Sequence, residues 1–220
     1  KEIRGLLIAE EGFVLLGSDL SSLEDKCKHH YQWKWDPEYV KMQQIPGFDP
    51  HLTIAGIAGL LTNADAEWYK VNKDNKELFT QAKARVKTIS EIRSKGKSTN
   101  YACQYGAGPA TVARTAGVPF QVGEKLWQAY HDLNWSIDKI AENTTIQKVN
   151  GYSWQLNPVN NIWYWLKSEK DRFSTLCQGT GSYICDIWIE EMHKICMERH
   201  KRPAPVLGEF HDEVILKLRN

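Results

Sequence analysis

Two aspartates and one run of evenly spaced side chains carry the residue types from which chemistry can be built. Asp19 follows the apolar run Phe13 to Leu16. Asp212 stands in His211-Asp212-Glu213, between the apolar runs Val206-Leu207 and Val214-Ile215-Leu216. Aspartate is a common turn former at strand ends. If the two ends of the chain pair, however, the carboxylates converge and repel each other unless a divalent cation lies between them. Hard cations such as Mg²⁺ select oxygen ligands, and two of them ~4 Å apart suit in-line phosphoryl displacement. Arg93, Lys97, Tyr101 and Tyr105 recur every four residues. On an α-helix each step of four drifts by roughly 40°, so the four share one face within about 120° over ~18 Å. Two cations lead and two aromatics follow, which is the polarity of a nucleoside triphosphate. An ordinary amphipathic helix, with its aromatics in the core, is the competing account of that spacing. Gly96-Lys97-Ser98 also matches the tail of GxxxxGK[ST]. Glu91 stands where the first glycine is required, and the segment reads as helix rather than as the loop after a strand.

The elements that must hold these residues follow from punctuation and periodicity. Ile3 to Ile8 and Phe13 to Leu16 read as strands around Glu10-Glu11-Gly12. Ser21 to about Gln32 reads as a helix capped by Ser21 or Ser22, and Pro37 to Pro50 as a loop. Helices are expected over 51–61, 77–105, 109–116, 123–133 and 135–146. Asn150-Gly151 predicts a hairpin within Thr145 to Leu156. Residues 169–198 are apolar at helical spacing and predict a buried helix. The last apolar runs form a hairpin with His211, Asp212 and Glu213 at its tip. Strands at both ends and helices between them give an α+β class, with the terminal strands in one sheet.

Composition bounds the rest. The 220 residues carry 28 Lys+Arg against 27 Asp+Glu, a net charge of +1 that gives no sign of a nucleic-acid partner. That average conceals a local field: residues 81–100 hold six cations against Glu91 alone, a net +5. Nine Trp, nine Tyr and six Phe exclude a disordered chain. The five cysteines form no CxxC pair and read as reduced thiols of a cytoplasmic protein, and the histidines show no zinc spacing. No apolar run reaches the ~20 residues that span a bilayer. The chain opens on Lys1 rather than Met, which predicts a piece of a longer polypeptide.

Taken in order, these pieces resemble the core of family A DNA polymerases, the bacterial DNA polymerase I type and its phage relatives. Asp19-Leu20-Ser21-Ser22-Leu23-Glu24 is similar to that family's motif A. Arg93-x3-Lys97-x2-Asn100-Tyr101-x3-Tyr105-Gly106 is similar to its motif B, and His211-Asp212-Glu213-Val214 to motif C. Asp49-Pro50-His51 resembles its D-x-H, and Gln178-Gly179-Thr180-Gly181 its Q-G-T/S-A helix, here in phage-like phrasing. The resemblance implies a palm made of residues 1–25 and 170–220, with helical fingers over 26–169 and the motif B helix at about 82–105. It implies Mg²⁺-dependent addition of deoxynucleotides to a primer 3′-hydroxyl, with two ions held by Asp19, Asp212, the Leu20 carbonyl and Glu213. Ser21, Glu24, His51, Arg93, Lys97 and Tyr101 would meet the nucleotide, with Lys97 also a proton donor to pyrophosphate and Glu24 the gate against a 2′-hydroxyl. Tyr rather than Phe at 101 implies acceptance of dideoxynucleotides. Tyr105, Gly106, Gln178 and His211 would meet the primer–template.

The departures are local. Lys26, Ser174 and Tyr152 replace the family's usual Arg, Asn and Arg. The length leaves no room for a thumb or an exonuclease domain. The expected partners are therefore DNA primer–template, deoxynucleoside triphosphates, and the remaining polymerase domains or a processivity factor. A non-catalytic DNA-binding fragment that needs a thumb-bearing partner is the alternative. A single-subunit RNA polymerase is a third reading, which Glu24 and Gln178 disfavour.

Overall fold

The structure, a computed structural model, describes residues 8–210 and 213–219. Most of the strand expected over Ile3–Ile8 lies outside the described residues, as do His211 and Asp212. In chain order the elements are β1 (Phe13–Asp19), α1 (Leu23–Gln32), α2 (Pro37–Gln43), α3 (Pro50–Ile57), α4 (Asn63–Asn72) and α5 (Thr80–Gln104). There follow α6 (Pro109–Ala116), α7 (Phe120–Leu133), α8 (Trp135–Glu142), β2 (Ile146–Val149), β3 (Tyr152–Leu156) and β4 (Trp163–Leu166). A 3-10 turn (Glu169–Asp171) then leads into α9 (Arg172–His200), β5 (Val206–Phe210) and β6 (Glu213–Arg219).

The two ends of the chain do meet. β1, β6 and β5 form an antiparallel sheet in that order, with Asp19 opposite Glu213 and Phe13 opposite Arg219. A second antiparallel sheet, β2-β3-β4, interrupts the helices and is turned by Asn150 and Gly151, both at positive φ. The helices close a core of their own: α1, α7, α8 and the first half of α9, with Ile54 of α3, Cys103 of α5 and Val112 of α6, pack around Cys27, Leu126, Tyr130, Phe173 and Leu176. Burial pushes the Cys27 thiol up to about 11 and the Cys103 thiol to about 12, so both sit there as small apolar groups.

Several expectations need correction. The first half of the segment expected as a loop, Pro37–Gln43, is the helix α2, and only 44–49 connects irregularly to α3. Pro37 takes the first position of α2, where its missing N–H costs nothing, and the Asp36 carboxylate accepts from the Tyr39 amide at 3.0 Å. Ser22 precedes α1 at φ 54° in the left-handed region, and its side chain caps nothing. The helix α4, with a reciprocal Thr62–Asp65 capping box, and the strand β4 were not expected at all.

Candidate functional site

Gly96 brings the first group of residues together. A Cβ at that position would sit 2.1 Å from the His51 carbonyl oxygen, so the glycine lets α3 cross α5 at backbone contact. The crossing sets His51 beside the outer face of α5, with its ring 6.4 Å from that of Tyr101. Gly96-Lys97-Ser98 is therefore helix and packing contact, not the end of a phosphate loop. Asp49 fixes both sides of the crossing. One of its oxygens caps α3 by accepting from the His51 and Leu52 amides at 3.0 and 3.1 Å, and the other takes Arg93 Nε at 2.6 Å.

Exposure sets this face apart from an amphipathic helix with its aromatics in the core. Tyr101 and Tyr105 are 49% and 44% exposed, whereas Gly96, Thr99, Asn100 and Cys103 are the buried side of α5. The aromatics point outward with the cations, which an ordinary amphipathic helix does not do. Lys97 Nζ lies 5.8 Å from the centre of the Tyr101 ring.

Charge is set locally. Burial pushes the Asp49 carboxyl up, but the hydrogen bonds from Arg93 and Leu52 and the nearby positive charge outweigh it, so Asp49 titrates below the ordinary carboxylate range. Burial pulls His51 down; Asp49 opposes this, while Arg93 and Lys97 add to it, and the net direction is down. A neutral imidazole next to two fixed cations results.

The second group gathers at the end of α5. Gly106, at φ 70°, turns the chain where a Cβ would meet the Lys170 carbonyl oxygen at 2.8 Å. The Tyr105 hydroxyl donates to Glu24 Oε1 at 3.0 Å and receives Gln178 Nε2 at 3.5 Å. These three, with Leu23, Gly181 and Glu209, line a cleft of about 610 Å³ between α1, α9 and β5.

The run 178–181 on α9 addresses four neighbours in turn. Gln178 faces the cleft. Gly179 lies under the Tyr164 ring of β4, which a Cβ would approach to 2.7 Å. Thr180 joins Tyr31 and Asn157 in a polar triad (2.6 and 3.0 Å). Gly181 receives Leu23 of α1. Tyr31, Asn157 and Tyr164 hold the site's scaffold, and no motif in the sequence marked them.

The third group is at the edge of the terminal sheet. Asp19 is exposed and lies opposite Glu213. Gly17 leaves space for the Glu213 carboxylate, whose Oε1 would be 2.7 Å from a Cβ at position 17. The Leu20 carbonyl accepts from the Leu23 amide at 3.2 Å, which turns β1 straight into α1 and sets Glu24 near the strand end. No group of three or more His, Cys, Asp or Glu placed to hold a metal ion occurs among the described residues. The donors present are carboxylates, of the kind that suits a hard cation. Ser21 is exposed in the same turn. No helix among the described residues is long and apolar enough to cross a membrane.

No family model matches the sequence. A solved structure does share the fold. The POL domain of Pol1 from M. smegmatis, in complex with DNA primer-template and dNTP, superimposes with a TM-score of 0.63 over 99% of this chain, at 15% identity. The match takes in 36% of that chain, so the present chain spans about a third of its neighbour's length. At that identity the likeness is one of fold, and what it does rests on the site.

Proposed function

We propose that this chain is the palm and fingers of a template-directed DNA polymerase of the family A type, adding deoxynucleotides to a primer 3′-hydroxyl. The observation that carries the reading is the outward row Arg93, Lys97, Tyr101, Tyr105, set beside His51 on a fold shared with a POL domain. In this reading residues 1–25 and 170–220 are palm and 26–169 are fingers.

The roles follow from the contacts. Asp49 occupies Arg93 Nε, which directs the two terminal nitrogens of the fork toward phosphate oxygens. His51, held neutral, donates an N–H to phosphate without adding a third charge. Lys97 neutralises the β- and γ-phosphates and protonates pyrophosphate as it leaves. Tyr101 lies against sugar and base. Glu24, tethered by the Tyr105 hydroxyl, stands under the sugar and excludes a 2′-oxygen. Gly106, Gln178 and His211 meet the primer–template. Asp19, Asp212, Glu213 and the Leu20 carbonyl would hold two Mg²⁺, which when bound supply charge neutralisation for in-line displacement. The bond to the primer oxygen forms as that to pyrophosphate breaks, and the protein's share is positioning.

Primer extension with Mg²⁺ tests this. Lys97→Ala should slow incorporation by about 10²–10⁴-fold, the usual worth of a positioned proton donor. Asp19→Ala should abolish it; incorporation equal to that of the parent chain would sink the reading. A second reading is favoured by the length of the match, a third of the neighbour's chain. In it the chain works only with a thumb-bearing partner, and extension appears when the rest of the polypeptide is supplied.

A further inference from the structure

The second sheet offers a surface that the nucleotide site does not use. Register pairs Trp154 with Trp165 and Leu156 with Trp163, and alternation puts Tyr152 on the same side. The opposite side is occupied: Gln155 donates to the Arg172 carbonyl, Leu166 is buried, and Tyr164 rests on Gly179 of α9. The Trp/Tyr side faces outward, with Tyr152 56%, Trp165 51% and Trp163 39% exposed. Tyr152 and Trp165 meet edge to face at 6.1 Å, and Lys167 Nζ lies 5.4 Å from the centre of the Trp165 ring.

We infer that this face is a stacking platform for single-stranded DNA, the unpaired template in the reading above, on which the inference rests. Three observations favour a nucleic-acid strand as occupant. Rigid aromatic rings with a cation alongside are the means by which proteins hold unpaired bases irrespective of sequence. A cleft of about 470 Å³ at the edge of β4 is lined by Trp165 and Lys167 together with Tyr105 and Gln178, with Asp171 its single carboxylate. The platform is thereby continuous with the candidate primer–template residues. At the other end of the sheet, Leu156 lines a cleft of about 720 Å³ whose ionisable lining includes Lys26, His29, His30 and Lys34 and no carboxylate. A polyanion that leaves the platform in that direction meets only positive or neutral groups.

The test uses the intact chain and a labelled, unprimed oligothymidylate without Mg²⁺, read by fluorescence anisotropy. Binding is expected, and Tyr152→Ala and Trp165→Ala should each weaken it about tenfold or more, while Trp165→Phe retains most of it. Lys167→Ala should flatten the dependence of log affinity on log salt by roughly 0.7, one phosphate contact on a single strand. Unchanged affinity in folded Tyr152→Ala and Trp165→Ala proteins overturns the inference. So does sedimentation showing that those substitutions dissolve a dimer or a protein complex and leave oligothymidylate binding intact. Primer extension is scored separately, so a chain that binds the strand but never extends a primer refutes the polymerase reading and leaves the platform standing.

Discussion

Asp49 ties the candidate phosphate site to stability. Its carboxyl and the His51 imidazole both titrate below their ordinary values, near 3.8 and 6.5. A group with a depressed folded pKa contributes stability that is present above its unfolded value and lost as pH falls through the folded one. Stability should therefore decline in two steps on acidification: below about 6.5 as His51 is forced to charge, and again below about 3.8 as Asp49 is protonated. Asp49→Asn keeps the helix cap, since Asn serves as well there, but leaves Arg93 without its counter-charge. It should cost about 1.5–3 kcal/mol, the usual range for a hydrogen bond to a charged group. The lower step should vanish, and the His51 titration should move further down, because Asp49 was holding it up. Denaturant unfolding against pH and the NMR titration of the His51 ring check both; an unmoved His51 would contradict the coupling. Asp-Pro-His was visible in the sequence as a pattern. That Asp49 holds Arg93, 44 positions away, was not, because the pairing exists only once α3 crosses α5.

The crossing itself depends on one missing methyl group. Alanine is the better helix former by about 1 kcal/mol, so a glycine-to-alanine change within a helix normally stabilises. At Gly96 the added Cβ would meet backbone, the His51 carbonyl oxygen at 2.1 Å, and no rotamer change can relieve that. At Gly56, in α3, the nearest atom would be 4.0 Å away. The two substitutions should therefore have opposite signs. Gly96→Ala should lose about 1–3 kcal/mol and weaken triphosphate binding, while Gly56→Ala gains up to about 1 kcal/mol and leaves binding as it was. Chemical denaturation of both proteins decides it, and equal effects would sink the account. Sequence legibility sorted in the same physical way. The helices α5 and α9 were readable because long periodic patterns outweigh local ambiguity, and the closing hairpin because its apolar runs flank a polar tip. The helix α2 was hidden by Pro37, which terminates a helix in mid-run but starts one after an Asp. The strand β4 was hidden because four residues, Trp163 to Leu166, are too few to show a period, and its place is fixed by Tyr164 resting on Gly179.

The placement of charge and of anchors along α5 bears on how the chain would respond to a nucleotide. Net charge is +1 overall but +5 over residues 81–100, which include Arg93 and Lys97. The C-terminal end of α5 is held by Gly106 against Lys170 and by Tyr105 between Glu24 and Gln178. Its N-terminal half meets α4 through Arg85, which bonds Asp65 at 2.8 Å and stacks 4.2 Å from the Trp68 ring. Phe79, ahead of the first turn, provides no side-chain cap and is 70% exposed. Val86 and Ile89 of that half also pack against Leu52 of α3 and Trp68 and Tyr69 of α4, so the helix is seated along its length and only its first turn lacks a cap. A triphosphate bound by Arg93, Lys97 and His51 would add links between the middle of α5 and α3, stabilising the pair against opening. At a concentration a hundredfold above its dissociation constant, a ligand that binds only the closed form contributes about 2.7 kcal/mol, so amide exchange there should slow by about a hundredfold. Hydrogen exchange with Mg²⁺ and deoxynucleotide should show protection in residues 93–104 and 51–55 and none in β2, β3 and β4, which carry no proposed nucleotide contact. Uniform protection would point to a general stabilisation, and unchanged exchange in α5 would remove the nucleotide from this face.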